Sequence, residues 1–121
     1  MTPTISIINM RDKIIPPDTV YCGRACRRAR HEIAWKGSAL ANPFSVKGYG
    51  AVEAVAKYRH MLFSVYGSEY IPRTIAEELA CLEARRLLAL LRKRKTLALG
   101  CWGCKPCHVE VIRELLLREI K

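Results

Sequence analysis

The distribution of apolar and polar residues predicts strands at the start of the chain. The stretch TISIINMR is β-branched and apolar, which is typical of a strand. It is followed by IIPPD, whose two prolines cannot continue a strand ladder. TVYCGR then predicts a short second strand that ends at Gly23. The basic stretch ACRRARHEIAWK fits either a helical turn or a mobile loop, and GSALANPF has the composition of a loop.

From about Ala51 the spacing of apolar residues becomes helical. The first helix is expected to bury Val52, Val55, Ala56, Phe63 and Tyr66. Thr74 is a predicted N-cap for the second helix, with Glu77 three residues later completing a capping box. This helix ends in RKRK and is expected to bury Ile75, Leu79, Leu82, Leu90 and Leu91.

The last part of the chain predicts one more strand and one more helix. TLALGCW is the strand, and VEVIRELLLREI is a helix expected to bury Val109, Ile112, Leu116 and Ile120. The pattern therefore predicts an α/β fold, in which a small, mainly parallel sheet of about three strands is covered by about three helices. We expect a single domain over residues 1–121, with a basic loop or insertion around residues 24–36.

The net charge of +10 favours a polyanionic partner, whether nucleic acid, an acidic protein or an anionic membrane. The partner that we expect is nucleic acid or a phosphate-bearing small molecule. The candidate phosphate-binding residues are Arg27, Arg28, Arg30 and Lys36. A solvated basic loop is the alternative interpretation of this run. Neither a secretory signal nor a membrane span is evident, so we expect a soluble intracellular protein without a membrane partner, in the host cytoplasm if it is viral.

Cysteines cluster in GCWGCKPCHVEVI, where Cys101, Cys104 and Cys107 are separated by two-residue gaps and His108 follows. Thiolates and imidazole are preferred zinc ligands, so these four residues form a candidate zinc site. Cys22 or Cys26 is an alternative fourth ligand. The spacing also resembles part of an iron–sulfur cluster motif. A site without metal remains a third possibility.

Without a metal, the same segment has thiol chemistry. A cysteine at a helix N-terminus is stabilised as the thiolate by the helix dipole, which makes Cys107 a candidate nucleophile and His108 a candidate acid or base. The alternative is that the cysteines pack as small apolar side chains, as we expect for Cys81 in the middle of a helix. The segment links a strand to the next helix, a position where open α/β sheets gather ligands.

Five segments together resemble the domain-of-unknown-function family forty-three twenty-six, small proteins common in phage and bacterial genomes. They are NMRDK, VYCGR, WKGSALANPF, AVEAVAKYRHML and LALGCWGCKPCHVEVI. The motif positions matched are Gly23, Arg24, Asn42, Pro43, Phe44, Cys101, Trp102, Cys104, Pro106, Cys107 and His108. The chain departs from the family pattern by the extra sequence ACRRARHEIA and by Gly103 inside the Cys-Trp-Cys motif. The resemblance implies no established activity.

The motif positions suggest one ligand pocket at an edge of the sheet. Arg24 supplies a cation, Trp102 an aromatic surface, and Asn42 and Phe44 precede a helix. Such a pocket suits a nucleotide, a sugar phosphate or the terminus of a nucleic acid. The alternatives are an enzyme that acts on a nucleotide-like small molecule through Cys107 and His108, and a zinc-stabilised interaction module.

Overall fold

A computed structural model describes most of the chain. The described residues are 2–11, 15–23, 26–28, 33–35, 37–44, 46–66, 74–101 and 107–120. For residues 26–28, 33–35, 46, 65 and 66 only the backbone is considered. The elements in chain order are β1 (Thr4–Asn9), β2 (Val20–Tyr21), β3 (Cys26–Arg28), β4 (Ile33–Trp35), α1 (Val46–Tyr49), α2 (Ala51–Tyr66), α3 (Ile75–Arg94), β5 (Thr96–Cys101) and α4 (His108–Glu119).

The main sheet has the order β1-β5-β2, and both strand pairs are parallel. The last strand along the chain therefore lies in the centre. Helices α1, α2 and α3 lie in the long connection from β2 to β5, which runs parallel to β2, whereas the described residues between β1 and β2 contain no helix. Leu97, Leu99 and Cys101 alternate along β5 and are all buried on one face, where they join the main core. This confirms the predicted α/β fold with a small parallel sheet of three strands.

The basic stretch forms two short strands among its described residues. β3 and β4 pair antiparallel, with Cys26 opposite Trp35. We predicted a helical turn or a loop for this stretch. Its many arginines interrupt the alternation of apolar and polar residues that is typical of a strand. At the base of the stretch, the Ser38 N–H donates a hydrogen bond to the Gly23 carbonyl oxygen at 2.9 Å. Ser38, which follows the basic stretch, therefore lies next to Gly23, which precedes it near the end of β2.

Helix α2 buries a face that overlaps only in part with the one predicted, because Val55 and Phe63 pack against the core as expected but its centre is formed by other residues. Ala54, Tyr58 and Leu62 are buried at four-residue intervals, whereas Val52 is 74% exposed and Ala56 is also exposed. The four-residue spacing places the buried residues on one stripe of the helix. The prediction placed Val52 and Ala56 in the core because they are apolar. Tyr58 is buried instead, because its large ring packs in the core while its hydroxyl has a hydrogen-bond partner there.

Helix α3 corrects the prediction in a similar way. Leu91 is buried and Leu90 packs against the core as predicted, whereas Ile75, Leu79 and Leu82 are exposed. The buried residues of this helix are Ala80, Cys81, Ala84, Leu87, Leu88 and Leu91. Small side chains in the first half of the helix allow its backbone to approach the rest of the core closely. The predicted N-cap is confirmed, because the Thr74 hydroxyl accepts a hydrogen bond from the Glu77 N–H at 3.1 Å.

Helix α4 closes the core as predicted. Val109, Ile112 and Leu116 are buried, and Ile120 packs against the core from its edge. Across the residues that the structure describes, no helix has both the length and the apolar character needed to cross a membrane.

Candidate functional site

The carboxyl ends of the three parallel strands bring a row of residues together at one edge of the sheet. Asn9 at the end of β1 is in register with Cys101 at the end of β5. Cys22 follows β2 directly, and its N–H donates to the Gly100 carbonyl oxygen at 3.0 Å. Cys22 and Cys101 are both buried. Asn9, Cys101 and Cys22 therefore lie side by side where ligands commonly bind in open α/β sheets.

Helix α4 begins at the same edge, with Cys107 as its N-cap residue. The extended backbone of Cys107 has φ −117° and ψ 143°, and its N–H donates to a Glu110 carboxylate oxygen at 3.3 Å. The Cys107 side chain is buried. The sequence thus placed this cysteine correctly at the first turn of the last helix, although residues 102–106 between Cys101 and Cys107 lie outside the described part.

His108 joins α4 to the end of β2. Its Nε2 lies 2.6 Å from the Cys22 carbonyl oxygen. A carbonyl oxygen only accepts hydrogen bonds, so Nε2 carries a proton. In the neutral ring Nδ1 is then the acceptor, and it lies 3.9 Å from the Cys107 Sγ. The Cys22 carbonyl therefore fixes both the tautomer of His108 and the nitrogen that faces the Cys107 thiol.

Tyr58 supports His108 from the side. The two rings pack edge to face, with centroids 5.2 Å apart and planes at 84°. The buried Tyr58 hydroxyl donates to the Leu40 carbonyl oxygen at 2.6 Å. Burial raises the pKa of this phenol, and the neighbouring thiols of Cys22 and Cys107 act in the same direction. Tyr58 is thus a neutral donor that fixes the segment before α1 beside the imidazole.

The sequence prediction missed both Tyr58 and the carbonyl of Cys22. A signal for Tyr58 was available, because Ala54, Tyr58 and Leu62 follow the four-residue spacing of a helix stripe. A carbonyl contact across 86 residues leaves no such pattern.

The Cys22 thiol is neutral at ordinary pH. Its pKa is raised from the usual 9.0 to about 12, mainly by burial and in smaller part by Glu83 and Cys101, while Arg86 acts in the opposite direction. Its Sγ also lies 3.5 Å from the Val20 carbonyl oxygen, in position to donate a weak hydrogen bond. At this position the side chain therefore packs in the core, while the backbone carbonyl contributes the polar contact to His108.

Asn42 and Phe44 have contacts that organise the turn before the helices. The Asn42 Oδ1 accepts from the Phe44 N–H at 2.9 Å, and its Nδ2 donates to the Ala54 carbonyl oxygen at 3.3 Å. The Phe44 ring packs edge to face with Tyr49 at 6.1 Å. These contacts account for the Asn-Pro-Phe motif in structural terms. A ligand-binding role for the two residues remains a prediction.

Several predicted site residues lie outside the described residues: Arg24, Arg30, Lys36, Trp102 and Cys104. Cys26, Arg27 and Arg28 are described through the backbone of β3 only. The pocket predicted to join Arg24, Trp102, Asn42 and Phe44 is therefore a hypothesis.

The predicted zinc set contains Cys104, so it lies partly outside the described residues as well. Within the described ranges, no three His, Cys, Asp or Glu residues are placed to hold a metal ion. Cys107 and His108 do face each other at 3.9 Å. Tetrahedral zinc with bonds of about 2.3 Å to sulfur and about 2.0 Å to nitrogen separates those two ligands by about 3.5 Å. Adjacent positions in sequence therefore do not prevent these two side chains from sharing an ion.

The fold and this edge define a class of protein: a small α/β domain whose three parallel strands end beside a Cys-His pair at the start of a helix. A family model described as "Domain of unknown function (DUF4326)" matches residues 6–118, and the chain belongs to this family. This confirms the resemblance seen in the motifs. No curated protein and no solved structure matches the chain.

Proposed function

We propose that this domain binds a nucleic acid or nucleotide through its phosphates at the carboxyl edge of the sheet. The observation that carries the proposal is the hydrogen bond from Ser38 N–H to the Gly23 carbonyl oxygen. It anchors both ends of the basic stretch one residue beyond Cys22, whose carbonyl binds His108. Gly23 and Ser38, which flank the basic stretch, therefore lie close to His108 at the start of α4.

The charge of the stretch supports a phosphate-bearing ligand. Residues 24–36 contain five of the chain's 21 lysines and arginines and a single acidic residue, Glu32. Phosphates bound by such side chains release counterions, which provides affinity without sequence specificity. The N-terminus of α4 adds a favourable dipole at the same edge. The Glu110 carboxylate already accepts the Cys107 N–H, so this amide contributes less to anion binding than the arginines do.

The proposal is tested by fluorescence anisotropy with short single-stranded and duplex DNA and RNA over a range of salt concentrations. The variant Arg27→Gln/Arg28→Gln is compared with the control Arg92→Gln/Lys93→Gln. The control residues are exposed at the C-terminal end of α3, next to the amino end of β5. We expect the first variant to bind more weakly and to lose about one unit of salt slope per phosphate contact removed. The control variant should retain both.

Three results decide against the proposal. One is the absence of binding at low salt to every nucleic acid and to nucleoside mono-, di- and triphosphates. Another is an equal loss in both variants. The third is a loss confined to Arg92→Gln/Lys93→Gln, because the ligand would then bind at the opposite end of the sheet.

A thiol enzyme is the second candidate function, and the geometry of His108 favours it. Nε2 is held as a donor by the Cys22 carbonyl, and Nδ1 faces the Cys107 Sγ at 3.9 Å. Transfer of the thiol proton to Nδ1 gives a thiolate beside an imidazolium, the arrangement of an activated cysteine nucleophile. The start of α4 stabilises the negative charge.

Alkylation followed by peptide mass mapping separates this candidate from a purely structural Cys107. We expect Cys107 to be modified by iodoacetamide at neutral pH faster than Cys22, and His108→Phe to slow the reaction at Cys107. Equal rates at the two cysteines, or no effect of His108→Phe, would exclude an activated thiol. Elemental analysis of the same preparation tests the predicted zinc, since a bound ion would also protect Cys107.

A further inference from the structure

Helix α3 exposes an apolar ridge in its first half. Ile75, Leu79 and Leu82 are 76%, 50% and 52% exposed, and they are three of the five large apolar side chains exposed in the described part of the chain. Steps of four and three residues place them on one face. Exposed apolar side chains that cluster in this way mark interaction surfaces more often than scattered ones do.

The same face continues into the second half of α3 with different residues. Arg86, Ala89 and Lys93 follow Leu82 at steps of four, three and four residues, and all are exposed. Ile75, Leu82 and Ala89 thus form one row at seven-residue spacing. The face has the period of a helix that pairs with another helix along its length.

Charge divides α3 into two halves of opposite sign. The first half carries Glu77, Glu78 and Glu83 and no base. From residue 85 onward α3 carries Arg85, Arg86, Arg92, Lys93 and Arg94 and no acid. Two copies of this helix side by side in parallel would place like charges together, whereas an antiparallel pair brings each acidic half against a basic half.

We propose that α3 is a self-association surface, on which α3 of a second copy of this chain packs antiparallel about a two-fold axis at Leu82. The axis places the two Leu82 side chains against each other and sets Ile75 of each copy opposite Ala89 of the other. On the flank of the same ridge, seven residues apart, lie Glu78 and Arg85. In this register Glu78 of each copy lies within one residue, about 1.5 Å along the helix, of the level of Arg85 of the other. A two-fold interface of this kind uses the same patch on both copies, so one ridge supplies the whole contact.

The area of the α3 surface indicates how tightly the two copies should bind each other. A helix of 20 residues is about 30 Å long. A single helix pair buries less than the roughly 800 Å² per partner of a standard stable interface. The dimer is therefore a reversible one, with a dissociation constant in the micromolar range. At physiological salt the Debye length of about 8 Å screens much of the repulsion between two chains of charge +10.

Sedimentation equilibrium of the full chain, from low micromolar to near-millimolar concentration, measures this dissociation constant. Leu82→Arg places two cations at the axis and should weaken the dimer by at least tenfold. Glu78→Arg and Arg85→Glu should each weaken it, and the double variant Glu78→Arg/Arg85→Glu should restore it, because the exchange recreates both ion pairs. Val52→Arg, on the exposed side of α2, is the control and should leave the constant unchanged.

A monomer at every concentration overturns the proposal. A dimer whose constant is unchanged by Leu82→Arg and by both charge variants overturns this surface as the interface. Failure of the double variant to restore the dimer overturns the antiparallel register. If Leu82→Arg does not fold, as judged by its circular dichroism melting curve, the charge exchange still decides the question, since Glu78 and Arg85 are exposed.

Discussion

The imidazole of His108 and the backbone carbonyl of Cys22 form a 2.6 Å hydrogen bond between the first turn of α4 and the end of β2. The contact joins positions 86 residues apart and lies at the edge where the strands end. Because it uses the backbone of Cys22, it fixes the histidine without requiring a particular side chain at position 22. The edge is therefore held together by α4 as well as by the sheet.

Replacement of His108 tests how much this hydrogen bond contributes to the free energy of unfolding. His108→Phe leaves the Cys22 carbonyl without its side-chain donor, and we expect a loss of about 1–3 kcal/mol in the free energy of unfolding. Urea denaturation measures the loss. His60→Phe on the exposed side of α2 is the matched control and should change stability by less than about 0.5 kcal/mol. Equal effects of the two replacements would show that the His108 bond adds little.

The Tyr58 hydroxyl is the second polar group whose loss should be costly. Tyr58→Phe keeps the ring against His108 but leaves the buried Leu40 carbonyl oxygen without this donor. We expect a loss of about 1–3 kcal/mol in unfolding free energy. Tyr49→Phe, at a residue that is 45% exposed, should be close to neutral. A neutral Tyr58→Phe would mean that another group replaces the hydroxyl.

The buried Cys22 thiol should make stability fall at alkaline pH. Its pKa is about 12 in the folded chain and 9.0 when solvated, so the unfolded chain releases the proton first as pH rises. The contribution is fully present below pH 9.0 and declines by about 1.4 kcal/mol per pH unit towards pH 12. Urea denaturation of the wild type and of Cys22→Ala over this range measures it. The variant should have the flatter profile; parallel profiles would contradict the assignment.

Loss of the N-cap of α3 should lower stability by less than loss of the buried hydrogen bonds of His108 and Tyr58. Thr74→Ala removes the hydroxyl that accepts the Glu77 N–H, and caps of this kind contribute about 1 kcal/mol. The melting temperature should drop accordingly. Thr2→Ala, an exposed threonine outside any helix, provides the comparison and should leave the melting temperature unchanged. A drop of similar size in both variants would argue against a specific capping effect.

The order of β1, β2, α2, α3, β5 and α4 was predictable because local patterns determine it, whereas β3, β4 and α1 were not predicted. The alternation in β1 and β5 and the spacing of α4 were visible in the sequence, as were the cap at Thr74 and the helix start at Cys107. The buried faces of α2 and α3 were not, because several faces of each helix carry apolar residues. Which face is buried depends on close packing by alanines and on a hydrogen bond to Leu40, and both depend on distant parts of the chain.

The candidate site was predictable only in part, for the same reason. Cys107 and His108 stand out as a motif, and the structure brings Cys101 and Cys22 to the same edge. The tautomer of His108 and the support from Tyr58 come from contacts between elements far apart in sequence. Such contacts have no local signature in a single sequence.

The hydrogen bond between Ser38 N–H and the Gly23 carbonyl oxygen holds together the two ends of the segment 24–37. The Ser38 nitrogen and the Gly23 oxygen lie 2.9 Å apart, so a shorter or longer segment between these residues would have the same small gap to close. Its length and charge can change while the parallel sheet keeps its register. A loop of different length grafted in place of residues 24–37 is therefore expected to leave the scaffold folded.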